Sequence, residues 1–351
     1  MKVLLAVSGG IDSMYMLHRA PELFPGASFT AAHCNFGLRG AESDGDEAFV
    51  RKQCTVLGIE CLVRRFDTVG YASAQGVSME MAARDLRYEW FGSLAAEHGF
   101  DAVATAHNAN DNAETLILNL LRGTGTKGLR GIPSGGADAG YSSGNHGRPW
   151  PCEREGPTLA WEGWSEAEVS GRISSAAPPE RIQLARPLLG VSREEIRVWM
   201  ETNGFEWRED STNKLNEARR NKIRNQVFPV FREINPSFIK TLGEDMARIR
   251  QTDDIADDYF RMAAEKIVKE KGDMLEINVL SLLALKHWRY VLWRILEDCT
   301  FSAQTFGKLC TLLERYRTAP PGTVTLSGKT FQSPGWILRA RRVTLILTRR
   351  Y

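Results

Sequence analysis

Over the first 122 residues, short apolar runs alternate with longer stretches in which apolar positions recur every three to four residues. Segments 2–7, 28–33, 60–66 and 101–105 read as strands, and segments 12–20, 43–57, 78–98 and 111–122 as helices. Repeated strand–helix units predict an α/β fold, a doubly wound parallel sheet whose ligands bind beyond the carboxyl ends of its strands. The chemistry is therefore expected in the loops after Val7, His33 and Thr105.

From 134 to 180 the periodicity disappears and Gly, Ser, Pro and Trp dominate, which predicts a mobile surface insertion; Trp150, Trp161 and Trp164 suggest that part of it docks. Ser192, followed by Glu195, predicts a capping box at the start of a helix over 192–204. After Asn235 and Pro236 a helical pattern runs to about Arg317, Pro320 and Pro321 end it, and the tail alternates like a small β meander. The expected organisation is a nucleotide-type α/β domain at 1–215, a helical domain at 216–318 and a β-containing tail at 319–351.

Of the 351 residues, 43% are hydrophobic and 25% charged, and no apolar run approaches the roughly 20 residues of a membrane helix. The first apolar run is too short for a secretory leader, so a cytoplasmic chain with no membrane partner is expected. Six cysteines without a CxxC pair argue against zinc, an iron–sulfur cluster or a disulfide framework. The net charge of +2 hides an asymmetry: residues 1–180 carry 15 Lys and Arg against 22 Asp and Glu, and residues 181–351 carry 30 against 21. A basic second half suits a polyanion, although a solvated surface explains the charge alone equally simply.

The sharpest signal is Ser8-Gly9-Gly10-Ile11-Asp12-Ser13, between a buried strand and a helix. Two glycines let the backbone approach an anion, the helix N-terminus offers free N–H groups, and Asp12 is placed to hold a magnesium ion on the phosphates. No GxxxxGK[ST] string occurs, which excludes a Walker loop. Arg84, Arg87 and Tyr88 fall within about one helical turn; a solvated charge stripe is the plainer reading. Asp111 and Glu114 are candidate polar ligands and, equally, an N-cap with its capping-box partner. Lys127 and Arg130 lie in a Gly-rich basic loop, while Arg220 and Arg224, four apart around Asn221, make a candidate phosphate clamp or an ordinary basic helix face.

Taken in order, SGGIDS, HCNFGLRG, AARDLRY, HNANDNAET, LLRGTGTKGLRGI, ARPLL, DSTN and RNKIR resemble the tRNA(Ile)-lysidine synthetase family of the PP-loop ATP pyrophosphatases, over most of residues 1–245. The resemblance implies a Rossmann-like PP-loop domain. It also implies an enzyme that uses ATP to adenylate the wobble cytidine of a CAU-anticodon isoleucine tRNA, then lets L-lysine displace AMP to give lysidine. By that resemblance Ser8, Gly9, Gly10, Ile11, Asp12 and Ser13 hold ATP and Asp12 holds Mg2+. Arg84, Arg87, Asp111 and Glu114 act at the reacting centre with Asp12, and Lys127, Arg130, Arg220, Asn221 and Arg224 meet tRNA. A homodimer stays open. The chain departs from the family pattern at Phe36, where a second histidine is frequent, and at Asn110, where an acid is frequent. Its insertion at 134–180 is longer than usual, and Tyr351 stands short of the extra C-terminal domain of longer members. A tRNA thiolation enzyme, a small-molecule amide synthetase and a catalytically silent RNA-binding module are the alternatives.

Overall fold

The computed structural model describes residues 1–133, 183–209, 219–272, 274–320 and 322–350. The insertion expected at 134–180, with its three tryptophans, and the DSTN string lie outside the described residues. Those up to Arg250 form one compact unit and those from Gln251 a second. The sequence-based boundaries at 215/216 and 318/319 mark changes of pattern, whereas this division falls inside a helix.

In the first unit, β1 (Lys2–Ala6), β2 (Ser28–Asn35), β3 (Glu60–Arg65), β4 (Ala102–Ala104) and β5 (Gln183–Ala185) pair in parallel in the order β3-β2-β1-β4-β5. Alternation along β1 explains the two-sided core. Val3 and Leu5 join Met14, Leu17, Val50, Ile196 and Met200 on one face. Leu4 joins Ala32, Tyr88, Phe91, Leu94 and Val103 on the other. Each fully buried Val, Leu, Ile, Met or Phe among them contributes about 1.5–3 kcal/mol. The first face is covered by α1 (Ile11–Leu23), α2 (Ala41–Leu57) and, later in the chain, the helix begun at Ser192; the second is covered by α4 (Met79–His98), which follows the short α3 (Thr68–Gln75). The chain steps outward from β1 to β3 and then returns to β1's other side at β4, so strand order reverses between β1 and β4. A ligand crevice opens at such a switch point.

Beyond β4 come α5 (Ala109–Arg122), α6 (Thr126–Leu129), α7 (Arg193–Thr202), α8 (Arg219–Lys222), a π-helical turn (Ile223–Val227), α9 (Phe228–Ile234) and α10 (Phe238–Ile267). Ala113 and Leu118 of α5 pack on Ile223, Phe228 and Phe238, fixing the π-turn against α5. The box predicted at Ser192 is present in both directions, with Ser192 N–H donating to Glu195 Oε2 at 2.7 Å and Glu195 N–H to Ser192 Oγ at 3.2 Å.

The second unit differs from the run of helix read to Arg317. A hairpin, β6 (Val268–Lys271) and β7 (Met274–Asn278), interrupts the helices, turning at Gly272 with φ 58°. The period of two at Leu275 and Ile277 was its signal. The tail strands β8 (Thr330–Gln332), β9 (Trp336–Arg341) and β10 (Thr344–Arg349) join that hairpin in an antiparallel sheet, order β6-β7-β10-β9-β8. Ile277, Leu338, Ala340, Leu345 and Leu347 form one core with the helices α11 (Val279–Leu283), α12 (Trp288–Leu296) and α13 (Ala303–Thr318). The tail is therefore part of this unit's core.

Candidate active site

The Ser8–Ser13 loop is organised around one hydroxyl. Ser13 Oγ accepts the N–H groups of Ser8 and Gly9, both at 3.1 Å, and donates to Gly10 O at 2.9 Å. Gly9 stands at φ +93°, and a Cβ there would lie 3.3 Å from Val50 Cγ2, so only glycine suits. Gly10 is different: its φ is −72°, and an added Cβ would meet only Ser8 Oγ at 3.5 Å. Its lack of a side chain keeps the cleft side of the loop clear. No side chain caps α1, which leaves the N-terminal N–H groups and the positive dipole end facing the crevice as an anion cradle.

The β4–α5 turn supplies the opposite bank. The helix start differs from the capping read in the sequence: Asn108 is the N-cap, accepting Asn110 N–H at 2.9 Å and Asp111 N–H at 3.0 Å, and Asp111 is its box partner. Asn108 also donates from Nδ2 to Asp12 Oδ1 at 2.9 Å, tying α1's acid to α5's first turn. Glu114 takes no part in capping. It is fully buried, and Arg224 donates to its two oxygens at 2.7 and 3.1 Å.

Arginines thread these carboxylates together. Arg193 stands 3.6 Å from Asp12 and 3.7 Å from Asp111, and Arg224 stands 3.5 Å from Asp111. Burial raises the carboxyl pKa of both Asp12 and Glu114. The main opposing influence is the Arg193 charge for Asp12 and the Arg224 hydrogen bond and charge for Glu114. Asn110, where an acid is frequent in the family, accepts the Arg193 backbone N–H at 3.0 Å, positioning the start of α7. Among the described residues Arg193 and Asn108 are partners that the sequence reading missed. The capping box beside Arg193 and the Asx-rich turn around Asn108 were the only signals.

At the ends of β2 and β3, Asn35 and Arg65 hold buried Glu47, with Nδ2 at 3.0 Å and Nε at 2.9 Å from its Oε2. Arg208 donates its backbone N–H to Gly9 O at 2.9 Å and its Nε to Asp46 at 2.9 Å, clasping the cradle loop to α2. Phe36 stacks on Phe66 with centroids 5.5 Å apart, and the Arg87 guanidinium lies 5.3 Å from the Phe36 centroid. The Cys34 thiol beside Arg87 is pushed up to about 12 by burial.

These parts surround one cavity of about 700 Å3. Ser8, Gly10, Ile11, Asp12, Ser13, Arg87 and Asp111 line it, with Phe36, His107, Arg193, Arg197, Arg224 and Asn225. Of the other expected residues, Gly9 and Glu114 are not lining residues, and Glu114 is held by Arg224. Arg84 is not a lining residue; its guanidinium lies 5.0 Å from the Tyr88 ring centroid. Arg220 and Arg224 do not form the paired surface clamp: Arg224 turns inward to Glu114 through the π-turn, while exposed Arg220 donates to Thr115 Oγ1 at 3.2 Å. Lys127, Arg130 and Asn221 are also outside the lining. Arg130's carbonyl accepts from Arg250 at 3.1 Å, anchoring that loop to α10.

Comparison with known proteins agrees with this architecture. The PP-loop domain family matches residues 1–155 and 160–231, and the TilS substrate binding domain matches residues 270–350. A tRNA(Ile)-lysidine synthase of Chlorobaculum tepidum is 33% identical over 336 residues, covering 91% of this chain and 86% of that protein. One of Porphyromonas gingivalis is 33% identical over 345 residues, 98% of this chain; the chain spans 63% of that relative's length. The U34-tRNA thiolase NcsA of Methanococcus maripaludis, solved with its [4Fe-4S] cluster, shares the fold at a TM-score of 0.50 and 17% identity, over 71% of this chain and 72% of its own. With the cradle, the switch-point cavity and both family matches in one sequence, the chain belongs to the tRNA(Ile)-lysidine synthase family.

Proposed function

We propose that the chain is a ligase that uses ATP to adenylate the wobble cytidine of CAU-anticodon isoleucine tRNA. It then joins L-lysine to C2, releases AMP and pyrophosphate, and so converts an AUG-reading tRNA into one that reads AUA. The observation that carries this reading is a single cavity with an uncapped helix N-terminus on one bank and an Asp–Arg–Glu network on the other. An anion cradle beside groups able to receive an ammonium suits a reaction that joins a triphosphate and an amine on a third substrate.

In this reading residues 8–13 bind the phosphates, and Arg87 and Arg193 stabilise charge on the transferring α-phosphate. Arg84 supports that wall through Tyr88, and Asp111 with the Glu114–Arg224 pair orients lysine. Among the described residues no group of three or more His, Cys, Asp or Glu side chains suits a metal. Magnesium is held by one or two carboxylates and substrate phosphates. Asp12, facing the cradle, would hold Mg2+, which would neutralise phosphate charge. Lys127, Arg130, Arg220 and Asn221 contact tRNA outside the cavity, with residues 270–350 as a second tRNA surface. No helix among the described residues is long and apolar enough to cross a membrane. A cytoplasmic location and a homodimer belong to the same proposal on the strength of the family resemblance.

The test is incorporation of radiolabelled lysine into unmodified CAU-anticodon isoleucine tRNA with ATP and magnesium, with elongator methionine tRNA as control. Label confined to the isoleucine tRNA, with AMP released, is expected. Label in neither tRNA refutes the assignment.

A further inference from the structure

We infer that His107 is the base that takes the proton from the lysine nitrogen as its bond to cytidine C2 forms. The inference rests on the ligase reading above. His107 lies in the turn between β4 and α5 and lines the cavity together with Arg87 and Asp111. Its ring is half-buried, with Nδ1 3.0 Å from Thr105 Oγ1. Thr105 is itself fixed, since its backbone N–H donates to Ala185 O at 2.9 Å. In the tautomer whose Nδ1–H donates to that hydroxyl, Nε2 carries the lone pair of a ring that lines the cavity. The contact of Nδ1 with Thr105 is the ring's one hydrogen bond among the described residues. A base needs this arrangement: one nitrogen oriented by a fixed partner, the other open to the reacting atom.

The neighbouring groups are occupied. Both oxygens of Glu114 are taken by Arg224. Asp111 accepts Asn108 N–H at 3.1 Å and lies between Arg193 and Arg224. Asp12 is bonded to Asn108, and the Cys34 thiol stays protonated. Burial lowers the His107 pKa to about 4 against the upward pull of Asp111, and the charges of Arg186, Arg220 and Arg87 act in the same direction as burial. The imidazole therefore enters the reaction unprotonated. Lysine gives its first proton to solvent as its ammonium is desolvated in the cavity. The free amine then donates its electron pair to C2. The C2–O bond breaks with its pair leaving on AMP, and the second proton passes from the adduct nitrogen to Nε2.

The experiment is single turnover with full-length His107→Ala and His107→Gln, following pyrophosphate release without lysine and lysidine formation after lysine is added. Both variants should release pyrophosphate within about twofold of wild type, while lysine transfer falls about a hundredfold to ten-thousandfold. The KM for lysine should stay near wild type, and imidazole in the medium should partly restore transfer in His107→Ala. His107→Gln keeps a donor toward Thr105 and guards against misfolding. Equal loss in both half-reactions, or undiminished transfer, overturns the base assignment. A wild type that releases no pyrophosphate overturns the ligase reading, and the base assignment with it.

Discussion

Arg224→Ala tests whether the buried pair holds the cavity wall. The Glu114 carboxylate is fully buried, and its two partner contacts, at 2.7 and 3.1 Å, both come from Arg224. Removing one member of a buried pair costs about 3–5 kcal/mol, because the remaining charge is stranded. The Arg224 side chain is 23% exposed, so water reaches the vacated side and the lower end, about 3 kcal/mol, applies. At about 2–4 °C per kcal/mol, the Tm should fall by about 6–12 °C. The loss should depend on pH in a definite sense. Burial already raises the folded-state pKa of Glu114 against the opposing pull of Arg224, so deleting the arginine raises it further. A carboxyl whose folded pKa is raised binds its proton more tightly in the folded state. Its contribution is favourable below the unfolded value of about 4.3 and is lost as pH rises through the folded value. Melts by circular dichroism at pH 5 and pH 8 should therefore show a smaller deficit at pH 5. Glu114→Gln combined with Arg224→Met should recover more than half of the loss, since no stranded charge remains. A Tm change under about 2 °C, or an equal deficit at the two pH values, refutes the reasoning.

Three further outcomes are expected. Asp12→Ala should abolish pyrophosphate release while tRNA affinity, read by filter binding, stays within about twofold; lost tRNA binding would show Asp12 to be structural. Gly9→Ala should destabilise the fold by about 1–2 kcal/mol because of its φ of +93°, whereas Gly10→Ala, at φ −72°, should leave the Tm unchanged and weaken ATP binding in calorimetry. Arg220→Ala should weaken tRNA binding and reduce the slope of log affinity against log salt by about 0.7–0.9, with KM for lysine and ATP unaltered; an unchanged slope would remove Arg220 from the interface.

What was legible in the sequence followed from local physics. Leu4 flanked by Val3 and Leu5 declares a strand buried on both faces, and Ser192 with Glu195 declares a helix start. The three-residue β5 is too short to carry a period, and it was missed. The start of α5 was misplaced because asparagine or aspartate stands at 108, 110, 111 and 112, and each is an acceptable cap; only the packed turn selects Asn108.

The site divides along the same line. Once β4 is known to lie against β1, the Ser8–Ser13 loop and the β4–α5 turn must converge, because both leave the same end of adjacent parallel strands. The contact between Asp12 and Asn108 is then a consequence of topology, although 96 residues separate them. Arg193 and Arg224 follow a different rule. Their reach into the cavity depends on how α7 packs across β1 and on how a π-turn rotates Arg224 out of register with Arg220. An i, i+4 spacing predicts a shared face only where the helix keeps 3.6 residues per turn, and at 223–227 it does not. The basic helix that reads as a surface feature therefore sends one arginine to a buried glutamate and keeps the other at the exterior. A single segment thereby links the exterior surface proposed to meet tRNA with the wall of the cavity in which the reaction is proposed to occur.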